Sequence, residues 1–303
     1  MSKYLVIILG PTGIGKTDVT IEIAKHYQTE IISADSRQIF KEMKIGTAVP
    51  SKEQLTQIKH HFIGTKSIRE YYNASMYEFE VLDLLENQFK KRSIVCMTGG
   101  SGLYIDAVCY GIDDIPTVEK QVRKNLMIRL KSEGSESLRK ELLYLDPEYY
   151  KKVDLKNPKR ILKALEISIQ TGKPYSSFLS KEKKVRNFSI IKIGLEMERE
   201  MLYERINKRI DKMIDNGLLN EAKTLVNEKR NNALNTFGYK ELFDYLDNKT
   251  SFEEAIRLIK RNSRHYARKQ ITWFNRYNDI KWFNPENLKG IIQYIDKEIK
   301  LNN

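Results

Sequence analysis

The run Tyr4-Leu-Val-Ile-Ile-Leu9 passes directly into Gly10-Pro-Thr-Gly-Ile-Gly-Lys-Thr17, and this junction constrains the fold more than any other stretch. A buried strand, a GxxxxGK[ST] loop and a helix carrying Val19, Ile23, Ala24 and Tyr27 on one face form the phosphate-loop unit of a parallel sheet. In such a unit the loop Gly10, Pro11, Thr12, Gly13, Ile14, Gly15 surrounds phosphate oxygens with backbone N–H groups at a helix N-terminus. Lys16 would neutralise charge there and Thr17 would reach a Mg2+ ion. The loop recognises a diphosphate. What hangs from that diphosphate has to be read elsewhere.

Two more strands follow, Ile31 to Ala34 and Ser93 to Met97, the second running into Thr98-Gly-Gly-Ser-Gly102. Strands alternating with helices imply an α/β core in which ligands sit beyond the carboxyl ends of the strands. From about Pro116 the texture becomes charged amphipathic helix, interrupted at Ser132-Glu-Gly-Ser135. A helix there has Asn157 as N-cap, Pro158 at its first position, apolar Ile161, Leu162, Leu165 and Ile169, and a Gly172, Pro174 stop. A strand returns at Phe188 to Leu195. The expected architecture is a P-loop core from residues 1–115 and 188–303 carrying a mostly helical insertion, 116–187.

Asp35 falls at the end of the second strand, beside the phosphate loop if the sheet is parallel. It would bind Mg2+ through water, act as a general base, or cap a turn. An NTP-hydrolysing site also wants a strand-end Asp, and the run ending at Met97 meets Gly99-Gly100 instead, which weakens an ATPase reading. Ser101 in that loop either approaches a ligand or makes a plain turn. His60-His61 has no further Cys or His nearby, so a structural role is expected rather than a metal site. Arg257, Arg261, Arg264 and Arg268 repeat at helical spacing with Lys260, His265 and Lys269, followed by Trp273-Phe274 and Tyr277. Such a stripe suits phosphate contacts and base stacking, although aromatics at this spacing more often belong to a core.

The 303 residues hold 53 Lys and Arg against 40 Asp and Glu, a formal charge of +13. That excess favours a polyanionic partner or marks a merely basic protein. Cys96 and Cys109 are too few for a disulfide framework, which fits a reducing cytoplasm. The opening apolar run is too short for a signal segment or membrane span, so no membrane association is expected.

Taken together, these stretches resemble the tRNA dimethylallyltransferase (tRNA isopentenyltransferase) family, bacterial type, over nearly the whole chain. The resemblance is carried by Gly10–Thr17, Asp35-Ser-Arg-Gln38, Ile45-Gly-Thr47, His60-His61, Gly99-Gly-Ser-Gly-Leu-Tyr104 and Arg160 to Glu166. It continues through Arg205 to Arg209, Gly217 to Glu221, Phe237 to Glu241 and Tyr266 to Phe274. It implies transfer of a dimethylallyl group from its diphosphate to N6 of the adenosine 3′ of the anticodon (position 37), with Mg2+. It implies further that Asp35 is the base and that the loop holds dimethylallyl diphosphate. Asp35, Ser36, Arg37, Gln38, Ser101, Arg123 and Lys159, Arg160, Ile161, Leu162, Lys163 would contact the tRNA anticodon stem-loop. Arg205 and Arg209, four apart on a helix, either steady the leaving diphosphate or form surface ion pairs. Ser101 stands where the family commonly has Thr, Lys163 replaces a usual Arg, and the zinc finger of eukaryotic members is absent. A monomer is expected. The competing readings are an adenylate isopentenyltransferase acting on free nucleotide, a P-loop small-molecule kinase, and a nucleotide-gated RNA-binding protein without catalysis.

Overall fold

The computed structural model describes residues 2–179 and 183–301. Chain order begins β1 (Tyr4–Leu9), α1 (Lys16–His26), β2 (Ile31–Ser33), α2 (Lys52–Gln57), β3 (His60–His61), α3 (Ala74–Phe89), β4 (Ile94–Gly99) and α4 (Gly102–Tyr110). Helices α5 (Lys120–Leu145), α6 (Pro147–Tyr150) and α7 (Pro158–Thr171) follow. Then come β5 (Ser189–Leu195), α8 (Arg199–Asp215), α9 (Leu218–Leu225), α10 (Tyr239–Leu246), α11 (Phe252–Phe274), β6 (Ile280–Phe283) and α12 (Leu288–Leu301). The chain divides into two compact units, Gly111–Val185 and the remainder.

In the larger unit the strands lie in the order β3-β2-β4-β1-β5-β6, with every pairing parallel. β1 is covered on both sides and every one of its residues is buried, which is why it reads as an unbroken apolar run rather than an alternating one. Ile8, Ile23, Ile193, Leu202, Ile206 and Ile295 belong to the same core. Parallel register, Leu9 opposite Gly99 and Ser33 opposite Thr98, delivers the loops after β1, β2 and β4 to one edge.

These loops are in van der Waals contact. A Cβ on Gly99 would lie 2.2 Å from the Ala34 carbonyl oxygen, so only glycine lets the β4 loop pass the β2 loop. Ser101 N–H then donates to that same carbonyl at 3.2 Å.

In the smaller unit α5 is two helical segments broken at Gly134, whose φ of +78° a side chain disfavours. α7 starts at the Asn157 cap and ends at Gly172 in the left-handed region. Ile161, Ala164 and Leu165 enter a core with Leu126, Leu138 and Leu142. Ile169, expected on that face, is exposed, and Ile167 is buried instead. The covered arc of α7 extends on the side of positions 164 and 167 and stops short of 169 on the other side.

The units divide at 111 and 185 rather than at the expected 116 and 187. Arg186 explains the second boundary: its guanidinium donates to the Ala107 and Val108 carbonyls and to Glu78 Oε1, each at 2.8 Å, which ties it to α3 and α4. Tyr110 is tied similarly, by contact with Lys192 of β5. Among the described residues, no helix is long and apolar enough to cross a membrane.

Gly99→Ala is expected to cost about 1–3 kcal/mol of stability, because the obstructing atom is backbone that cannot rotate away. A urea midpoint equal to that of the native protein would contradict this close approach.

Candidate active site at the strand ends

A cleft of about 860 Å³ opens at the carboxyl edge of the sheet. Thr12, Gly13, Gly15, Lys16 and Thr17 line one side and Asp35, Ser36, Arg37 and Gln38 another; Arg205, Arg209, Phe237, Tyr266 and Gln270 complete it. The phosphate loop, Asp35 and both α8 arginines are therefore brought together. Gly10 and Pro11 stand behind the lining and present carbonyls to Lys16 Nζ, at 3.0 and 2.8 Å. The Ile14 side chain is fully buried in the core, so only its backbone is available to a ligand.

The Arg205 guanidinium lies 3.1 Å from where a Cβ of Gly15 would stand, directly over the loop. Arg209 Nη1 reaches Thr12 Oγ1 at 3.5 Å. Burial first, then the neighbouring Arg209 charge, pull the Lys16 ammonium down to about 7, with Asp35 pulling the other way. Burial likewise lowers Arg209, and Asp35 partly restores it. These cations are short of counter-charge, and Asp35 is the carboxylate that faces them. Such a site favours an anion.

Asp35 is oriented by its own turn: Oδ1 accepts from the backbone N–H of Arg37 at 2.8 Å and of Gln38 at 3.2 Å. Its other oxygen accepts nothing from the described residues. The turn-capping reading and the base reading are thus compatible, one oxygen serving each. Ser36 N–H donates to Ser101 Oγ at 2.9 Å, and Ser101 Oγ donates to Ser36 Oγ at 3.1 Å. Ser101, nearly buried, sits behind the cleft wall as a brace. Gln38 spends its amide on the Thr47 and Ala48 carbonyls and Arg37 reaches the Asn232 carbonyl. Burial, followed by the Asp35 charge, pushes the Tyr266 hydroxyl up to about 12, so it stays protonated. Its ring lies 5.1 Å from that of Phe237.

The other predicted contacts belong to the smaller unit. Arg123 donates from Nε and Nη2 to the two oxygens of buried Glu166, both at 2.7 Å, while about half of its side chain stays exposed. Lys159 and Arg160 are exposed. Lys163 is half-buried and its pKa is lowered, mainly by burial. Ile161 does not fit a side-chain contact with RNA: it is 1% exposed and packed in the helical core, with Leu162 partly buried against it.

On α11, Arg257 is held by Glu254 and Arg264 by Asn207, whereas Arg261, His265, Arg268 and Lys269 are exposed. Desolvation, then the charges of Arg268, Arg261, Arg264 and Lys269, hold His265 below its ordinary value. The aromatics beyond the stripe are structural. Phe274 is buried, and Trp273 and Tyr277 donate to Asp106 Oδ2 at 3.0 and 2.7 Å. His61 bonds Glu30 at 2.5 Å on an edge strand, and the described residues hold no group of three or more His, Cys, Asp or Glu fit for a metal.

Two residues of the site carried no role in the sequence reading. Glu221 accepts from the backbone N–H groups of Lys44, Ile45 and Gly46 and from Tyr239 OH, shaping the 44–46 loop. Gln270 bonds Thr12 N and Gly100 O, both at 2.8 Å. Gln270 was detectable, being polar on the buried 263/267/270/274 face of α11.

A parallel sheet with a phosphate loop after its first strand and a half-free carboxylate after its second defines a phosphate-loop protein with a cation-lined cleft at its strand ends. A family model described as IPP transferase matches residues 38–277. A tRNA dimethylallyltransferase 1 of Bacteroides fragilis is 51% identical over 99% of both chains, and a tRNA dimethylallyltransferase of Christiangramia forsetii is 53% identical over 99% of both. The crystal structure of a full-length tRNA isopentenylpyrophosphate transferase from Bacillus halodurans superposes with TM-score 0.72 at 33% identity, covering 99% of this chain and 97% of that one. A eukaryotic dimethylallyltransferase acting on tRNA gives TM-score 0.77 at 25% identity, over 94% of this chain and 74% of that one. The chain belongs to the IPP transferase family.

A bound diphosphate raises the Lys16 pKa, so the lysine's contribution to anion affinity is complete below about pH 7 and is lost as the pH rises above it. Calorimetry with inorganic diphosphate is expected to show the ratio of wild-type to Lys16→Met affinity falling by up to about tenfold per pH unit between about pH 7 and 9. A ratio independent of pH would contradict this assignment.

Proposed function

We propose that the protein transfers a dimethylallyl group from dimethylallyl diphosphate to N6 of the adenosine 3′ of the anticodon, position 37, in tRNA, releasing diphosphate. The half-free Asp35 carboxylate, facing a cation-lined phosphate loop across one cleft, carries this reading. The N6 lone pair is delocalised into the purine, so the amine must lose a proton as its bond to carbon forms. The free Asp35 oxygen accepts that proton, the new N6–C1 bond forms, and the C1–O bond breaks with its electron pair leaving on the diphosphate. Lys16, Arg205, Arg209 and the loop amides stabilise the charge that gathers there.

The Thr17 hydroxyl lines the cleft and has no hydrogen-bond partner among the described residues. With no acidic cluster beside it, a metal would draw its remaining ligands from phosphate and water, as Mg2+ commonly does. Bound Mg2+ would supply further neutralisation of the leaving group, with Thr17 as its protein ligand.

A base in an anticodon loop must leave its stack to reach such a cleft, and the paired rings of Phe237 and Tyr266 offer a surface to receive it. Arg261, His265, Arg268 and Lys269, together with Arg123, Lys159, Arg160 and Lys163 of the helical unit, supply phosphate contacts. One chain provides every group in this scheme, so a monomer suffices, working in the cytoplasm where its tRNA is.

Labelled dimethylallyl diphosphate and Mg2+, offered with unmodified tRNA, with AMP, or with neither, are expected to label tRNA alone, at the adenosine 3′ of the anticodon. Label on AMP but not on tRNA would favour the free-nucleotide enzyme instead. Asp35→Asn keeps the Oδ1 contacts and is expected to lower kcat by about 10²–10⁴-fold, with tRNA affinity nearly unchanged. Wild-type turnover by that variant would remove Asp35 from the base role.

A further inference from the structure

Gln270 is 5% exposed and projects from α11 into the gap between the loops after β1 and β4. Its Oε1 accepts from Thr12 N–H and its Nε2 donates to the Gly100 carbonyl, each at 2.8 Å. A backbone N–H can only donate and a carbonyl can only accept, so the partners fix which end of the amide faces which loop. The site is shaped for it: a Cβ on Gly100 would lie 2.2 Å from Nε2.

From Gly100 the connection runs on to the base. Ser101 N–H donates to the Ala34 carbonyl at 3.2 Å, Ser101 Oγ brackets Ser36, and the turn opening at Ala34 carries Asp35. Thr12 at the other end belongs to the phosphate loop. One buried amide therefore spans from the loop that would hold the diphosphate to the loop that braces the carboxylate.

We propose that Gln270 is a positioning residue that sets the separation between the donor diphosphate and Asp35. The inference rests on the transferase reading above. In-line transfer between a held leaving group and a held nucleophile is steep in their separation, and a displacement of about 1 Å costs on the order of 10²-fold. The requirement for one donor and one acceptor singles out an amide. A carboxylate cannot donate to Gly100, a thioether cannot donate to Gly100 and accepts only weakly from Thr12 N–H, and a protonated carboxyl can satisfy both.

Gln270→Met and Gln270→Glu are compared with wild type in steady-state transfer to unmodified tRNA, in inorganic diphosphate binding, in tRNA binding and in thermal unfolding. The expected result for both variants at pH 7.5 is a fall in kcat of about tenfold or more and a raised donor KM, with tRNA Kd within about twofold. The ratio of Gln270→Glu to wild type, for kcat and for diphosphate affinity, is expected to recover as falling pH protonates the carboxyl, while the Gln270→Met ratio stays flat. If kcat and donor KM match wild type in both variants, or if the two ratios show the same pH dependence, the proposal is overturned. Should Gln270→Met fail to fold, the pH dependence of Gln270→Glu decides alone. Wild type that labels no tRNA would count against the transferase reading, whereas the diphosphate-affinity ratios would still decide whether Gln270 sets the loop.

Discussion

The parallel pairing of β4 with both β1 and β2 is the constraint on which the rest of the site depends. It sets Leu9 beside Gly99 and Ser33 beside Thr98, so a phosphate loop, a carboxylate turn and a glycine loop finish at one level. Gly99 lets the second and third of these touch, and the Ser101 hydrogen bonds lock them. The common level of these three loops is thus a property of strand register.

On that frame the electrostatics are arranged for an anion. Lys16 and Arg209 lose hydration together and sit close enough to oppose each other's charge, with Asp35 as the nearby compensation. A polyphosphate that arrives relieves this repulsion, and one that leaves restores it. The same arrangement in a nucleotide hydrolase would want an acid at the end of β4, where this chain has Gly99-Gly100. Asp35 at the end of β2 instead faces the cations of the phosphate-loop cleft.

Much of this was legible in the sequence because it is local. The β1 strand, the loop, the Asn157 cap, the Gly172 stop and the Gly134 break all follow from short-range sterics and capping chemistry. The strand-end placement of Asp35 follows once the sheet is parallel. Contacts set by tertiary packing were not legible. Ile161 was placed among RNA contacts, though its helix turns it into the core. Arg186 lies outside the helical unit because of three bonds to α3 and α4 that no spacing announces. Gln270 and Glu221 act on loops 170 or more residues away in the chain. For Gln270 the sequence signal was a polar residue on the buried face of α11; Glu221, only partly buried, gave none.

In the proposed reaction the phosphate loop holds a leaving group rather than a fuel. The most direct test of that role is the stoichiometry of diphosphate release during a reaction with dimethylallyl diphosphate, Mg2+ and unmodified tRNA, in the presence of ATP. One diphosphate is expected per adenosine modified, none when tRNA is withheld, and ATP is expected to stay intact. Consumption of ATP in step with product, or diphosphate release independent of tRNA, would contradict that role.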